Sequence, residues 1–87
     1  MNQTELAAVV SKIESAGLFC KVYPNNYLIN VTDTDGVIQS YYASTGTAIF
    51  RDGNDKFKSQ KHTEHGMTAD RFIALCKGEE DIQEIFF

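Results

Sequence analysis

The first sixteen residues carry apolar side chains at the spacing of one helix face. The positions that recur at i, i+3, i+4 and i+7 are Leu6, Val9, Val10 and Ile13. Such a stripe is typical of an amphipathic helix that packs on a core. Asn2 or Thr4 can cap its start, and Gly17 is the residue type that most often follows a helix end. The pattern predicts a helix over about residues 4–16.

From residue 18 onwards, aromatic and β-branched residues form short runs that are separated by turn residues. These runs predict four strands, at residues 18–23, 27–32, 37–43 and 47–51. The turns between them are too short for a parallel crossover, which requires about a dozen residues, so the sheet should be an antiparallel meander. The next segment, 56–61, suits either a frayed edge strand or a loop.

Helical signals return at Thr68, which can cap a second helix that ends at Gly78. The segment 79–87 begins with acidic residues and has Ile and Phe at helical spacing, which predicts a short final helix. The chain is therefore expected to form one α+β domain over residues 1–87. Its predicted order is α-β-β-β-β-α-α, with an antiparallel meander sheet and the helices packed on one face.

The third predicted strand, 37–43, carries aromatic or aliphatic residues on both of its faces. Because side chains alternate along a strand, one of Tyr41 and Tyr42 points into the core and the other points away from it. The outward Tyr, with Leu28 or Ile49 beside it, would form a contact patch on the sheet face without helices. The alternative is an isolated exposed Tyr, which is common in strands.

Positive charge is concentrated in the middle of the chain. The basic residues there are Arg51, Lys56, Lys58 and Lys61, followed by His62. On an extended segment, Lys56, Lys58 and His62 would project together and contact phosphates, while an aromatic ring such as that of Tyr41 stacked on a base. The alternative is a lysine-rich sheet edge that discourages strand addition. A net charge of −4, from 12 acidic and 8 basic residues, favours the edge and leaves nucleic-acid binding as the second hypothesis.

The cysteines and the N-terminal residues indicate a compartment. Cys20 and Cys76 both have apolar neighbours, which predicts buried free thiols rather than a disulfide framework. The first residues lack the pattern of a secretory signal peptide, and no apolar stretch approaches the roughly 18 residues of a membrane helix. We expect a soluble cytoplasmic protein that does not contact membranes.

The chemistry-bearing residues do not form a catalytic or metal motif. The one potential metal set in the sequence combines His62, Glu64 and His65 with Cys20 or Cys76, and it lacks the paired cysteines of a zinc site. Cys76 falls on the apolar stripe of its helix, where burial raises a thiol pKa and lowers reactivity. No glycine-rich phosphate motif is present. We therefore expect no metal, no cofactor, no catalytic residue and no enzymatic activity.

The C-terminal segment offers a further contact candidate. Its acidic and aromatic residues are Glu79, Glu80, Asp81, Phe86 and Phe87. The segment resembles the acidic tails with which bacterial single-strand-binding proteins recruit partners, and residues 83–87 resemble the Gln-x-x-Leu-Phe peptides that bind the replication sliding clamp. The alternative is an amphipathic helix that buries Ile82, Ile85 and Phe86, which suits a chain this small.

These observations predict a small non-enzymatic protein-binding module, an adaptor or inhibitor such as a bacterial mobile element would encode. It would work through the open sheet face, the acidic C-terminal segment, or both. One form of this hypothesis is an acidic protein that imitates the phosphate backbone of nucleic acid. The identity of the partner and self-association are left open.

Overall fold

The computed structural model describes residues 1–53 and 60–79. Within these ranges the elements in chain order are α1 (Gln3–Ser15), β1 (Phe19–Tyr23), a 3₁₀ turn (Pro24–Asn26), β2 (Leu28–Thr32), β3 (Ile38–Tyr42), β4 (Thr47–Arg51), β5 (Gln60–Glu64) and α2 (Ala69–Cys76). The α+β class and the helices and strands predicted between residues 4 and 51 are confirmed, as is a helix that begins after Thr68.

The first helix begins and ends as its sequence indicates. The Asn2 side chain accepts a hydrogen bond of 2.9 Å from the backbone N–H of Glu5, which caps the first turn. Leu6 and Ile13 from the predicted stripe are buried. Gly17 follows with φ +82°, so the chain leaves the helix and enters β1 within a few residues.

All five strands pair antiparallel in the order β1-β2-β3-β4-β5, which confirms the meander. The predicted order has four strands and leaves segment 56–61 as either a frayed edge strand or a loop. Gln60–Glu64 form a fifth strand, β5, which corrects that order. The sequence of β5 lacks the apolar alternation that predicts a strand, and its backbone pairing with β4 holds it in the sheet. The predicted final helix spans residues 79–87. All of it except Glu79 lies outside the described residues.

Register places two sets of side chains on opposite faces of the sheet, since paired residues of an antiparallel ladder project from the same face. The core face carries Cys20, Val22, Ile29, Val31, Gln39, Tyr41, Ala48, Phe50, His62 and Glu64. The outer face carries Phe19, Lys21, Tyr23, Leu28, Asn30, Thr32, Ile38, Ser40, Tyr42, Thr47, Ile49, Arg51 and Thr63. Buried residues of both helices join those of the core face in one hydrophobic cluster.

Gln39 is a buried polar residue on the core face, and its side chain substitutes for part of the ladder between β3 and β4. Its Oε1 accepts a hydrogen bond of 2.6 Å from the backbone N–H of Arg51. Its Nε2 donates to the Arg51 carbonyl at 3.0 Å and to Asp33 Oδ2 at 2.9 Å. Because every donor and acceptor of a buried amide is costly to leave unpaired, this network fixes the β2–β3 turn against β4.

Gly46 lies where the β3–β4 turn meets the segment before α2. It has φ +72°, and its carbonyl accepts a hydrogen bond of 2.9 Å from the Met67 N–H. A Cβ at this position would lie 2.7 Å from the Met67 carbonyl oxygen. Both the backbone conformation and the close approach therefore require glycine here.

Candidate protein-binding surface

A row of apolar side chains crosses the outer face at one end of the sheet. The register pairs Tyr23 with Leu28, and Leu28 with Tyr42. Directly opposed side chains have Cβ atoms about 5 Å apart, so these three form a continuous strip. Tyr23 is 39% exposed, and Leu28 and Tyr42 are half-buried. We call Tyr23, Leu28 and Tyr42 the aromatic row.

A second apolar group lies at the opposite end of the same face. Phe19 and Ile38 stand on either side of Thr32, with which both are paired in the ladder. Phe19 is 76% exposed and Ile38 is 41% exposed. Because Phe19 and Ile38 flank the same residue, they form a second apolar group, and the apolar character of the outer face extends to both of its ends.

The centre of the outer face is polar, and its groups bond to each other. The Ser40 hydroxyl donates a hydrogen bond of 2.8 Å to Asn30 Oδ1. Arg51 Nη1 donates to Ser40 Oγ at 2.9 Å, while the Arg51 Nε is buried and has no hydrogen-bond partner. Lys21 Nζ lies 5.4 Å from the ring centroid of Tyr23, a cation–π contact. Apart from the Arg51 Nε, these polar groups have partners within the sheet, so the two apolar ends are the surfaces most open to contact.

The two adjacent tyrosines of β3 take the opposite orientations that the sequence required. Tyr42 points to the outer face, whereas Tyr41 is only 4% exposed and belongs to the core. The Tyr41 ring stacks on that of Phe72 at a centroid distance of 4.7 Å, and its hydroxyl donates to the Met67 carbonyl at 2.7 Å. Of the two predicted contact residues, Tyr42 is the one on an accessible face.

The predicted nucleic-acid residues do not form a basic stripe in the described part of the chain. Arg51 is on the outer face with its guanidinium bonded to Ser40, and it is half-buried. His62 projects from the core face, where its ring lies 6.4 Å from that of Phe50. The remaining predicted residues, Lys56, Lys58 and the side chain of Lys61, lie outside the described residues.

The two histidines of the predicted metal set are separated by the sheet. His62 lies on the core face, and His65 Nδ1 lies 3.2 Å from the hydroxyl of Thr47, a residue of the outer face. Two ligands on opposite faces cannot share one tetrahedral ion. In residues 1–53 and 60–79, no three His, Cys, Asp or Glu side chains cluster as metal ligands would.

The two thiols are held in their protonated form. Burial raises the pKa of the Cys76 thiol to about 12, and the Asp33 carboxylate adds to the rise. Burial also raises the pKa of the half-buried Cys20 thiol, with a further contribution from Glu14. Since the thiolate is the nucleophile, neither environment activates a cysteine for catalysis.

The acidic C-terminal candidates are described only at their first residue. Glu79 is exposed, and its carboxylate lies 2.8 Å from Lys77 Nζ. Two other exposed or half-exposed carboxylates, those of Asp70 and Glu64, form ion pairs with Lys12 and Arg71. The other candidates, Glu80, Asp81, Phe86 and Phe87, lie outside the described residues.

Phe19 and Tyr23 are exposed aromatics of the outer face that the candidates from the sequence do not include. The sequence places both in the first predicted strand, 18–23, and assigns neither to a face. Their signal was present in the alternation of Phe19, Lys21 and Tyr23, because a lysine at the centre of a strand normally marks a solvent-facing side. The exposed aromatics follow from that alternation.

No helix in the described ranges is both long and apolar enough to cross a membrane. Comparison with known proteins provides no relative: no protein-family model, no curated protein and no solved structure matches the chain. The apolar residues of the outer face are therefore the feature from which a function is inferred.

Proposed function

We propose that this chain is a small non-enzymatic protein-binding module that contacts its partner through the outer face of its sheet. The observation that carries the proposal is the aromatic row, three side chains in direct register across β1, β2 and β3. Tyrosine is enriched at the centres of protein interfaces because it combines a large apolar ring with a hydroxyl that tolerates water.

The proposal takes both helices to pack on the core face, so that the outer face remains free for a partner. Leu6 of α1 and Phe72 of α2 support this arrangement, because both belong to the cluster that includes Tyr41 and Ala48 of the core face. An antiparallel sheet with helices on one side commonly leaves its other side accessible.

The polar centre of the outer face supports protein binding over nucleic-acid binding. In the described residues the outer face carries only two cationic side chains, the half-buried Arg51 bonded to Ser40 and Lys21 beside the Tyr23 ring, so it has no basic stripe to follow a phosphate backbone. The net charge of −4 adds a long-range repulsion of nucleic acid. Imitation of a phosphate backbone is less well supported than a sheet-face contact, because Glu64, Asp70 and Glu79 are in ion pairs within the chain.

The proposal is tested by capture of partners from the cells that produce the protein, with nuclease treatment. A tagged wild-type chain should retain a discrete protein after nuclease, and Tyr42→Lys should lose it. Ala8→Lys, which adds the same single positive charge at an exposed position of α1, should retain it. Both variants should unfold close to the wild-type midpoint.

Two results would count against the proposal. Capture that disappears with nuclease indicates a nucleic-acid tether, and capture that survives Tyr42→Lys places the contact elsewhere. If Tyr42→Lys alone lowers the unfolding midpoint, Phe19→Lys provides a second variant, because that ring is 76% exposed and contributes little to the core.

A further inference from the structure

A groove runs along the outer edge of β1, between that strand and α1. Its larger part has a volume of about 670 Å³, and its apolar lining includes Leu6, Val10 and Val22. Its smaller part, about 450 Å³, lies beside Phe19 and Cys20. The two parts follow the strand in sequence, so together they extend along most of β1.

The hydrogen-bonding direction of β2 follows from two bonds just beyond its ends. The N–H of Ala43 donates to the Tyr27 carbonyl, and the N–H of Asp33 donates to the Val37 carbonyl. Tyr27 and Asp33 therefore point their backbone groups at the β3 side, and so do the odd-numbered residues between them, because bonding alternates along an antiparallel strand. The even-numbered residues of β2 point at β1.

This alternation assigns the backbone groups of β1. Phe19, Lys21 and Tyr23 are paired with the even-numbered residues of β2 and use their N–H and C=O groups there. Cys20 and Val22 consequently direct their N–H and C=O groups at the outer edge, where no strand from residues 1–53 or 60–79 is paired with β1. Unpaired groups on a sheet edge are a template for an added strand.

Glu14 gives the groove a charge at its centre. It lines both parts of the groove, it is exposed, and it forms no ion pair with any residue of the described ranges. Glu14 and Cys20 both line the smaller part of the groove, so the negative charge lies beside β1. Burial raises the pKa of the Cys20 thiol, and the Glu14 charge adds to the rise. A ligand in the groove would meet this charge.

We propose that the β1 edge and the groove under α1 bind an extended segment of a partner protein as a sixth strand, with a basic side chain at Glu14 and an aliphatic side chain two residues away against Val22. This binding uses a surface other than the aromatic row, so it goes beyond the proposed function. Cys20 and Val22 supply the backbone hydrogen bonds that hold the segment. The groove selects the two side chains that point inward, since alternate residues of a strand share a face.

A second copy of this chain is a poorer occupant of the edge than a basic segment. The symmetric pairing that matches Cys20 with Val22 of the other copy sets Lys21 directly opposite its own counterpart. Like charges in that position destabilise a pair of strands. Lys21 is exposed at the middle of β1, as expected of an edge that resists self-pairing.

The test is selection of a displayed random octapeptide library on three proteins: wild type, Glu14→Lys and Glu5→Lys. Wild type and Glu5→Lys should enrich peptides with Lys or Arg two positions from Val, Ile or Leu. Glu14→Lys should enrich Asp or Glu at the basic position. Binding of a selected peptide should slow hydrogen exchange at the Cys20 and Val22 amides by about tenfold or more, because it gives those groups partners.

Several outcomes would overturn the inference. The inference fails if wild type does not enrich peptides with the basic and aliphatic pair. It also fails if Glu14→Lys keeps the preference of wild type, because the charge at the centre of the groove then does not determine which peptides bind. Enriched peptides that leave Cys20 and Val22 exchange unchanged bind elsewhere. A dimer of the free protein in which these two amides are already protected identifies a second copy as the occupant.

Discussion

The hydroxyl of Tyr41 donates a hydrogen bond of 2.7 Å to the backbone carbonyl of Met67, 26 positions further along the chain. This bond joins the middle of the sheet to the segment that leads into α2. Because the Tyr41 ring also stacks on Phe72, one residue of β3 positions both the start and the buried face of the second helix. Tyr41 therefore supports the fold, and Tyr42 beside it remains available for contact.

Replacing Tyr41 by Phe should destabilise the protein, because the buried Met67 carbonyl loses its donor while the ring remains. We expect a loss of about 1–2 kcal/mol in the free energy of unfolding, measured by urea denaturation. The matched control is Tyr42→Phe, whose hydroxyl makes no hydrogen bond within the described chain, and whose change should be under about 0.5 kcal/mol. Equal effects of the two changes would contradict the assignment of Tyr41 to the core.

Gly46→Ala should destabilise the protein more than Gly36→Ala does. Both glycines have positive φ, so both substitutions introduce a backbone strain of about 1–2 kcal/mol. Only at Gly46 does the new Cβ also meet backbone, 2.7 Å from the Met67 oxygen, whereas a Cβ at Gly36 would meet no heavy atom within 4 Å beyond its chain neighbours. Thermal denaturation should give a clearly lower midpoint for Gly46→Ala, and similar midpoints would disprove the close approach.

Protein stability should decline in alkaline solution partly through Cys76. Burial raises the pKa of this thiol from the ordinary value of 9.0 to about 12, so the unfolded chain loses the proton first as pH rises. The contribution of Cys76 is complete below about pH 9 and falls towards pH 12, by at most about 1.4 kcal/mol per pH unit. Urea denaturation of wild type and Cys76→Ala between pH 8 and pH 11 measures the difference in slope.

The Cys76→Ala variant is expected to be less stable than wild type near pH 8 and to show a shallower alkaline decline, so the difference between the two proteins narrows towards pH 11. Identical slopes would mean that the Cys76 thiol titrates at its ordinary pKa in the folded protein. Tyrosines and lysines that titrate in the same range contribute equally to both proteins, so the comparison isolates the thiol.

The protein should not bind nucleic acid at low salt. Its net charge of −4 opposes association, and Arg51 and His62 are held within the sheet. Fluorescence anisotropy with single- and double-stranded DNA and RNA at about 20 mM salt would detect even weak electrostatic binding. Affinity that falls steeply with salt and disappears on joint replacement of Lys56, Lys58 and Lys61 by Glu would support the alternative function.

Much of the fold could be predicted because its elements have strong local signals. The stripe of α1 and the turns around β2 determine those elements from neighbouring residues alone. The strand β5 could be predicted only as one of two alternatives, an edge strand or a loop over 56–61, because Gln60–Glu64 has a polar sequence and owes its conformation to pairing with β4. Its formation depends on residues that are distant in sequence.

The sequence predicts the outward-facing tyrosine of the candidate site only as one of two alternatives, Tyr41 or Tyr42. Tyr41 and Tyr42 are chemically alike, so the sequence required opposite orientations without saying which residue pointed inward. The choice follows from pairing of Tyr41 with Ile29 and Ala48, two small or aliphatic residues that are fully buried. The groove between α1 and β1 has no sequence signature, since its walls meet only in the folded chain.

The most direct test of the central claim is photo-cross-linking in the cells that produce the protein. A photoreactive phenylalanine derivative is placed at Tyr42 of the outer face or at Ala8, an exposed position of α1 that does not line the groove. We predict a discrete adduct with another protein from position 42 and none from position 8. An adduct from position 8 alone, or no adduct from position 42, would contradict binding through the outer face.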